Sequence, residues 1–525
     1  MADAKSAEAM ASPQPGTAQV RLSPSLKEVR SIAAVGAYRR IPVRRELLAD
    51  QFTTIEVMRR LRAASHHVFM LESAEPDQRS GRWSFLGFAP TLEVTCLDGT
   101  LRIRRGVESV LGDADESTPA FEERKVDHPG PYLRELIAAN RSPQLPGFPP
   151  FTGGLVGYFS YDYLKYAEPI LRRTDLGHAD FLDVDLMLFN DVIAFDSYRQ
   201  RVVLVTGVDT TGDIAAAYGD AARRLDRIEE IIRDGERHVF PPLQLEDRLA
   251  PRFSQDEYCR MVETAKDHIR EGDIFQVVLS DPLTARAEGS LFDAYRLLRT
   301  ENPSPYMFYF TSDDVELAGA SPETLARLTD GRLFTYPLAG TRPRGKTPKE
   351  DAELERGLLA DEKELAEHNM LVDLGRNDLG RVAAVGSVHV DEYLQILRFS
   401  HVMHIGSTVS GTIAPGKDAI DAVDAILPAG TLSGAPKLRA CQIIQELEGA
   451  KRGIYGGAIG YLDFSGNLDT CIGIRLAYKK NGEVCVQSGA GIVIDSVPER
   501  EYQECQNKAR AVVAALEASE GGIDR

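Results

Sequence analysis

The stretch AIGYLDFSGNLDTCIGIRLAYKKNGEVCVQS, residues 458–488, decides the fold class. Its apolar runs 458–464, 471–478 and 483–488 are separated by the turn sequences Ser-Gly-Asn and Lys-Asn-Gly, and Asn-Gly between such runs is a strong hairpin signal. These runs predict three strands that are antiparallel to their neighbours. Similar short apolar runs between glycine and proline clusters fill the first part of the chain, whereas helical spacing follows Ser254. The sequence therefore predicts an α+β protein with large antiparallel sheets.

Composition divides the chain into four segments. Residues 1–30 are small and polar, and we expect them to form a disordered tail. Residues 41–235 are expected to form an amino-terminal domain, and the proline-containing segment 236–251 is expected to be a linker. A second domain is expected over residues 252–518, because a capping-box pattern at its start precedes a clear helical period.

Charge and hydropathy exclude several classes of protein. The 525 residues carry 61 Lys and Arg against 79 Asp and Glu, a net charge of −18, which lacks the basic surface of a nucleic-acid binder. No apolar run approaches the roughly 20 residues that cross a bilayer, and no signal core is visible, so we expect a cytoplasmic protein without membrane partners. The six cysteines show no Cys-x-x-Cys spacing, which favours reduced thiols.

Two predicted helices each present a pair of carboxylates. Glu364 and Glu367 are three residues apart, as are Glu501 and Glu504, so each pair lies on one helix face. Lys508 follows on the second helix. Hard oxygen ligands in small numbers suit Mg²⁺ and leave room for a substrate oxyanion. The alternative is that these charges belong to ordinary solvated helix surfaces.

Glycine-rich segments and isolated titratable groups are further candidates. Gly340-Thr341 and Gly489-Ala490-Gly491 would let backbone N–H groups approach an anion, although tight turns explain them equally. Neither fits the phosphate-cradling G-x-x-x-x-G-K-[ST] pattern, which disfavours a nucleotide site. His404 titrates near neutrality, and Glu323 follows a turn and would act as a general acid if buried. Each of these residues, taken singly, is more commonly structural.

Ten ordered motifs resemble the chorismate-utilising enzyme family. They are GDIFQVVLS from Gly272, NPSPYM from Asn302, GASPE from Gly319, PLAGTRPRG from Pro337, AEHNMLVDLGRNDLG from Ala366, SHVMH from Ser400, PAGTLSGAPK from Pro428, YGGAIGYLD from Tyr455, GAGIVIDS from Gly489 and NKARA from Asn507. The resemblance runs from about residue 43 to residue 516 and is dense after residue 251. It implies two antiparallel sheets packed as a sandwich with helices on the outside, the fold of this family.

The resemblance also implies an activity, the one performed by the anthranilate synthase branch of the family. Chorismate and ammonia would be converted to anthranilate and pyruvate, with Glu367 and Glu504 holding Mg²⁺ against the ring carboxylate. Glu323 would protonate the departing C4 hydroxyl, while His404 and Thr431 would line the ring and assist pyruvate elimination. The substrate would be bound by Gly340, Thr341, Tyr455, Arg475, Gly489, Ala490, Gly491 and Lys508.

Two positions separate this reaction from those of close relatives. Relatives that add water at C2 resemble this chain but have a lysine base where Gln276 stands, and glutamine cannot deprotonate water. Aminodeoxychorismate synthases have a lysine nucleophile where Ala339 stands. An aminodeoxychorismate synthase and a catalytically silent homologue that binds chorismate or tryptophan are the alternatives.

Partners and regulation are implied in the same way. No cysteine lies in a Gly-x-Cys-x-Gly elbow, so we expect ammonia from a separate glutamine amidotransferase subunit in a heterotetramer. Elements resembling the family's tryptophan feedback pocket comprise Glu72, Ser73, Pro305, Tyr306 and Met307. Arg82 is a weaker addition, and beside it lies Trp83, the chain's single tryptophan.

Overall fold

Helices and strands account for most of the described chain. The structure is a computed structural model that describes residues 22–73, 81–111, 121–178, 180–398 and 402–523. The helices are α1 (Leu26–Ala33), α2 (Thr54–Ala64), α3 (Gly130–Ala139), α4 (Leu164–Ala167), α5 (Ile214–Asp234), α6 (Gln255–Arg270), α7 (Phe292–Glu301), α8 (Pro348–Leu359), α9 (Glu362–Gly380), α10 (Ala419–Ile426), α11 (Lys437–Glu448) and α12 (Pro498–Ser519). The strands are β1 (Arg40–Leu48), β2 (Val68–Glu72), β3 (Trp83–Phe88), β4 (Leu92–Leu97), β5 (Thr100–Arg105), β6 (Phe121–Lys125), β7 (Gly154–Phe159), β8 (Val184–Phe189), β9 (Asp191–Asp196), β10 (Arg201–Asp209), β11 (Gln244–Leu245), β12 (Ala250–Pro251), β13 (Gln276–Glu288), β14 (Tyr306–Thr311), β15 (Glu316–Ser321), β16 (Thr324–Thr329), β17 (Arg332–Thr335), β18 (Leu338–Pro343), β19 (His389–Arg398), β20 (Val402–Thr412), β21 (Gly434–Ala435), β22 (Ala458–Asp463), β23 (Leu468–Ile472), β24 (Leu476–Lys480) and β25 (Glu483–Ile492).

The strands form two large antiparallel sheets. The first has the order β1-β10-β9-β3-β2-β14-β15-β24-β25-β13-β11, with β12 and β21 also paired to β13. The second has the order β18-β20-β17-β16-β23-β22-β7-β8-β4-β5-β6, with β19 paired to β20. Each sheet takes strands from both sides of segment 236–251, and the division of the chain into two domains there stays a prediction.

Apolar side chains between and outside the sheets create four layers. An aromatic-rich core containing Phe69 and Phe308 from the first sheet and Tyr158 and Met187 from the second fills the space between them. The outer face of the first sheet packs against α1, α2, α5, α7 and α12, and that of the second against α3, α4, α9 and α10. The predicted α+β sandwich with helices on the outside is confirmed.

The stretch 458–488 passes from one sheet to the other. β22 and β23 pair in the second sheet, whereas β24 and β25 form a hairpin in the first. The predicted Asn-Gly turn is present, with Asn481 at φ +52° and Gly482 at φ +75°. The single strand expected over 471–478 is wrong, because Arg475 adopts φ +51° and the chain leaves one sheet before it enters the next.

The predicted amino-terminal tail is too long. Residues 26–33 form α1, whose first turn is stabilised by a capping box between Ser25 and Glu28 and whose Val29 is fully buried. These contacts offset the cost of ordering a polar segment, so the tail prediction fails for residues 26–30. Residues 1–21 lie outside the described chain. Within the described ranges, no helix combines the length and apolar character needed to span a membrane.

Candidate active site

Glu323 lies at a second crossing between the sheets. It occupies the turn between β15 of the first sheet and β16 of the second, and its carbonyl accepts a hydrogen bond from the Ile472 N–H at 2.9 Å. The Thr431 hydroxyl donates to Glu323 Oε1 at 3.1 Å. A pocket open to solvent adjoins both side chains. The structure thus brings together two residues that are 108 positions apart.

The surroundings of Glu323 favour its protonated form. Removal of the carboxyl from bulk water raises its pKa to about 7, against the opposing effects of the Thr431 hydrogen bond and the Arg475 and Lys508 cations. A carboxyl with a pKa near neutrality can donate a proton and be reprotonated within one catalytic cycle. The geometry therefore suits Glu323 to the role of a general acid.

Arg475 stands at the other crossing. Its carbonyl accepts the Ala320 N–H at 3.0 Å, which ties the connection between β23 and β24 to the end of β15. Partial desolvation lowers the pKa of the guanidinium, and Glu323 opposes that change. Because both residues lie where the chain changes sheets, the two crossings place an acid and a cation at one end of the sandwich.

The two predicted carboxylate pairs face a common space. Glu364 and Glu367 lie on α9, and Glu501 and Glu504 on α12. The pKa of Glu367 is raised, first because the cleft walls reduce its hydration and then because the Glu364 and Glu504 carboxylates lie near it. The Glu501 pKa is raised for similar reasons, with Glu504 as the nearby charge. Lys508 pairs with Glu504 at 2.8 Å but leaves an excess of negative charge.

The negative charge of this arrangement would attract a divalent cation. A cation placed among these carboxylates would offset their mutual repulsion, and carboxylate oxygens are the ligands that Mg²⁺ prefers. Glu367 and Glu504 are both exposed to solvent, as residues that line an open cleft are.

Gly340, Thr341 and His404 form a further contact set. Thr341 lies opposite His404 in the pairing of β18 with β20, and the Thr341 Oγ1 is 3.0 Å from His404 Nδ1. The same nitrogen lies 3.1 Å from the Gly340 carbonyl, an obligate acceptor, which places the ring proton on Nδ1 and the basic lone pair on Nε2. Partial burial lowers the pKa of His404, so the imidazole is neutral at pH 7.

The glycine segment on β25 approaches two polar side chains. A Cβ at position 489 would lie 2.9 Å from the Tyr455 hydroxyl, and one at position 491 would lie 2.8 Å from Gln276 Nε2. Only glycine leaves space for these side chains. Gln276 is 7% exposed, and its Oε1 has no hydrogen-bond partner among the described residues.

One edge of the β25 backbone at Gly489, Ala490 and Gly491 is not paired with another strand of the described chain. β25 pairs with β24 only as far as Val486, whereas its pairing with β13 continues to Ile492. Beyond Val486 the edge of β25 that faces away from β13 has no strand beside it in the described chain. Backbone N–H groups on such an edge can bind an anion.

The residues of the expected tryptophan pocket lie on adjacent strands. Met307 on β14 is the register partner of Glu72 on β2. The Glu72 carboxylate is buried and accepts hydrogen bonds from Thr54 at 2.8 Å, from Tyr295 at 2.5 Å and from Arg299 at 2.9 Å. These contacts hold Glu72 on the helical side of the sheet.

Ser73 and Tyr306 have different surroundings. The Ser73 Oγ is buried and has no hydrogen-bond partner among the described residues. The Tyr306 hydroxyl is 2.9 Å from the Thr324 Oγ1 and donates to Asp469 at 2.8 Å, so it reaches from the first sheet to the second beside Glu323. Pro305 precedes it and is half-buried. The pocket itself stays a prediction.

Arg82 and Trp83 lie at the edge of the same region. Arg82 forms a two-point ion pair with Asp196, and its guanidinium lies 4.8 Å from the Trp83 ring centroid. Trp83 stacks on Phe85 and, like Tyr306, packs against the core between the sheets.

Sequence reasoning missed one set of contacts. Two arginines follow Gly340 closely in sequence, but Arg342 pairs with Asp361 at 2.7 Å and with Glu364 at 3.1 Å. Arg344 pairs with Asp351 at 2.6 Å. Asp361 also caps α9, accepting N–H groups of its first turn. The sequence signal that could have predicted these ion pairs is the short spacing between the arginines and the acidic residues that follow them.

Comparison with known proteins shows which family the chain belongs to. Residues 67–514 match the family described as chorismate binding enzyme. Since that span covers most of the sequence, the chain belongs to the chorismate binding enzyme family. Within it, the chain is 43% identical over 504 residues to anthranilate synthase component 1 of Acetivibrio thermocellus, covering 94% of this chain and 98% of that protein. It is 40% identical to anthranilate synthase component 1 of Aquifex aeolicus, covering 95% and 99%.

Solved structures show the same architecture. Anthranilate synthase component I from Streptococcus pneumoniae superposes with a TM-score of 0.69 at 35% identity, over 84% of this chain and 93% of that one. The menaquinone-specific isochorismate synthase of Escherichia coli superposes with a TM-score of 0.64 at 20% identity, over 94% and 98% of the two chains. At 20% identity, the similarity to the isochorismate synthase shows a shared fold alone.

Proposed function

We propose that this chain is the large subunit of an anthranilate synthase and converts chorismate and ammonia to anthranilate, pyruvate and water. The observation that carries this proposal is the Glu323 carboxyl, with its pKa near 7, beside Thr431 at the crossing of the two sheets. Its position next to the two-helix carboxylate cleft and Arg475 supports a reaction in which an acid expels a hydroxyl from a dianionic substrate. The curated relatives over nearly the full length support the same activity.

The proposed chemistry has two stages. Ammonia forms a bond to ring C2 while the C4 hydroxyl leaves as water with the proton of Glu323, and the ring double bonds shift. Removal of the C2 proton and cleavage of the C3–O bond then give the aromatic ring, and the departing enolpyruvate takes up a proton at its methylene carbon to become pyruvate. His404, neutral at pH 7, and Thr431 line the ring during this second stage.

We assign the Mg²⁺ of the reaction to Glu367 and Glu504, with Glu364 and Glu501 beside them. When bound, Mg²⁺ neutralises negative charge on the ring carboxylate and on the glutamates. The chain's own groups do the rest of the binding: Lys508, Arg475, Tyr455, Gly340, Thr341 and the β25 edge at Gly489, Ala490 and Gly491 hold the substrate's oxygens. Local cations thus let a chain of net charge −18 bind a dianion.

The side chains near C2 favour free ammonia as the nucleophile. Gln276 is a neutral amide whose buried Oε1 has no hydrogen-bond partner in the part of the chain that the structure describes, and it can accept an N–H of ammonia. Ala339 is buried and has no amine with which to attack C2. Aminodeoxychorismate synthesis and isochorismate synthesis are therefore disfavoured.

A single assay tests this proposal. Purified protein is mixed with chorismate, Mg²⁺ and ammonium at alkaline pH, and anthranilate is followed by its fluorescence and by mass analysis. We expect anthranilate and pyruvate in equal amounts, and no turnover when Mg²⁺ is chelated. Aminodeoxychorismate without anthranilate would overturn the assignment.

We further propose that ammonia is delivered in the cytoplasm by a separate glutamine amidotransferase subunit, in a heterotetramer, and that tryptophan inhibits the complex. The protein alone should use ammonium but not glutamine, and adding the amidotransferase should confer glutamine use. Glutamine-dependent turnover by the isolated chain would contradict the two-subunit proposal.

A further inference from the structure

A fully enclosed guanidinium lies behind the candidate active site. Arg452 is 2% exposed, although it belongs to the short segment between α11 and β22. Its Nε donates to Glu448 Oε2 at 2.8 Å, and its Nη2 donates to the other carboxylate oxygen at 2.5 Å. A two-point pair of this kind fixes the plane of the guanidinium.

The remaining contacts of Arg452 reach two backbone carbonyls. Nη1 donates to the Leu432 carbonyl at 2.6 Å, and Nη2 donates to the Val278 carbonyl at 2.7 Å. Leu432 follows Thr431, the partner of Glu323. Val278 lies on β13, two residues after Gln276, on the segment that pairs with Gly491. One side chain therefore sets the separation of the loop and the strand.

Arg452 also contacts an aromatic ring of the proposed site. Its guanidinium lies 5.6 Å from the Tyr455 ring centroid and 4.7 Å from that of Tyr161. Tyr455 is the residue whose hydroxyl lies next to Gly489. Because the guanidinium is fixed by its hydrogen bonds and packs against the Tyr455 ring, it limits the positions that this ring can take.

Glu448 also accepts hydrogen bonds from β13. Its Oε1 accepts hydrogen bonds from the Ser280 N–H at 2.8 Å and from the Ser280 hydroxyl at 2.9 Å. Ser280 is fully buried on β13 and pairs with Gly489. Replacing the whole pair by apolar residues could preserve stability, so stability alone gives a weak reason for burying two charges.

We propose that Arg452, held by Glu448, is a positioning residue for the proposed reaction: it fixes Thr431, Gln276 and Tyr455 relative to one another. This positioning role requires a planar side chain with several N–H donors, which the arginine guanidinium provides. Lysine keeps the charge but cannot direct fixed N–H groups to Glu448, Leu432 and Val278 at once. Small displacements of such groups reduce turnover by about tenfold to a hundredfold.

The test compares Arg452→Lys with a matched substitution elsewhere. Arg45 also pairs with helix carboxylates, Asp226 at 2.6 Å and Glu229 at 2.9 Å, but it joins β1 to α5, away from the cleft. Folding is checked by circular dichroism, and kcat and KM for chorismate and ammonium are measured well below each variant's Tm. We expect kcat of Arg452→Lys to fall at least tenfold and that of Arg45→Lys to stay within twofold of wild type.

A double-mutant cycle separates positioning from general destabilisation. If Arg452 acts through Thr431, then Thr431→Ala should lose much less kcat when Arg452→Lys is already present. Should Arg452→Lys fail to fold, Ser280→Ala, which removes one hydrogen bond to Glu448, replaces it in the cycle, and a threefold or larger loss of kcat is expected.

The inference rests on the proposed function, and different experimental results would refute the inference and the function. Wild-type protein without anthranilate synthesis would refute the function. Active wild type, with folded Arg452 or Ser280 variants that keep kcat and KM, or with losses that simply add to that of Thr431→Ala, would refute the positioning role alone.

Discussion

Glu323 shows how a residue's surroundings determine its chemistry. In sequence it is one acid after a turn, and nothing there separates a helix-start glutamate from a general acid. In the structure, loss of hydration outweighs two nearby cations and a hydrogen bond, and the pKa rises to about 7. The side chain is consequently ionised and neutral in comparable amounts near pH 7.

The first prediction concerns pH and activity. Because Glu323 must carry its proton to expel the hydroxyl, turnover normalised to the concentration of free ammonia should fall as pH rises above about 7. Glu323→Gln should lose at least a hundredfold in kcat and lose this pH dependence. Initial rates at saturating chorismate from pH 6 to 9 provide the measurement, and an unchanged rate in the variant would contradict the assignment.

The second prediction concerns pH and stability. A carboxyl whose pKa is raised in the folded state binds protons more tightly when folded, so its contribution to stability falls as pH rises from about 4.5 to about 7. Glu323→Gln should therefore be more stable than wild type at pH 8 by up to about 3 kcal/mol, and equal to it at pH 4. Urea unfolding at both pH values measures the difference. Equal stability at pH 8 would indicate an unperturbed pKa.

The third prediction concerns the choice of nucleophile. Gln276→Leu keeps the shape of the side chain but removes the Oε1 that we expect to accept an N–H of ammonia. One lost hydrogen bond of about 1 kcal/mol corresponds to roughly a fivefold to tenfold rise in the KM for ammonia. The KM for chorismate should change little. Ammonia kinetics unchanged from wild type would remove Gln276 from the site.

For individual residues, the sequence predicted which residues belong to the candidate site better than it predicted their hydrogen-bond and ion-pair partners. The spacing of Glu364 and Glu367 identified one face of a helix, and that face does turn toward α12. The pairing of Arg342 with Glu364, and the absence of a partner for the Gln276 Oε1 among the residues that the structure describes, depend on how distant elements pack, which no local pattern encodes.

Helices α9 and α12 are the elements that make the acidic cleft. Each presents its carboxylates from the first two turns, and the two helices are far apart in sequence, α9 ending at residue 380 and α12 beginning at residue 498. Neither pair could hold a cation firmly by itself. Their juxtaposition is therefore the feature on which the metal proposal depends.

The fourth prediction tests that juxtaposition. Glu367→Gln and Glu504→Gln should each abolish Mg²⁺-dependent turnover while the fold is retained, because each removes a charged ligand. Glu362→Gln, on the exposed start of α9, is the matched control and should leave the apparent affinity for Mg²⁺ unchanged. Rates across a Mg²⁺ titration give the answer. Normal Mg²⁺ dependence in either cleft variant would remove the metal assignment.

Predictions of elements succeeded where a local signal existed. The capping box at Ser254 marks the start of α6, and the Asn-Gly turn joins β24 to β25. The break at Arg475 had no such signal, because arginine is an unusual residue at positive φ and the apolar pattern continues across it. Which sheet a strand joins is likewise decided by long-range pairing.

At the scale of the whole molecule, the residues proposed for tryptophan regulation and the proposed general acid lie close to the core between the sheets. Tyr306 reaches across that core to Thr324 and Asp469, next to Glu323, while Ser73 lies on the neighbouring strand's end with a buried hydroxyl that lacks a described partner. A ligand that moved β14 would therefore act on the turn that holds Glu323.

The fifth prediction addresses this regulation. Tryptophan at micromolar concentrations should inhibit the wild-type protein, and Ser73→Ala should raise the inhibitory concentration at least tenfold without changing uninhibited turnover. Ser31→Ala, on the surface helix α1, serves as the control. The inhibition constants are measured by anthranilate fluorescence with tryptophan titrated in. Uninhibited wild type would remove the feedback proposal.

The passage of residues 458–488 from one sheet to the other has a consequence for the order of events during synthesis. β22, β24 and β25 are late strands that join both sheets, beside β7, β15 and β13 respectively, which were made earlier. A nascent chain released before this segment would contain neither sheet in finished form, and its exposed strand edges would be prone to aggregate. The catalytic cleft can therefore form only after the carboxyl-terminal part of the chain has left the ribosome.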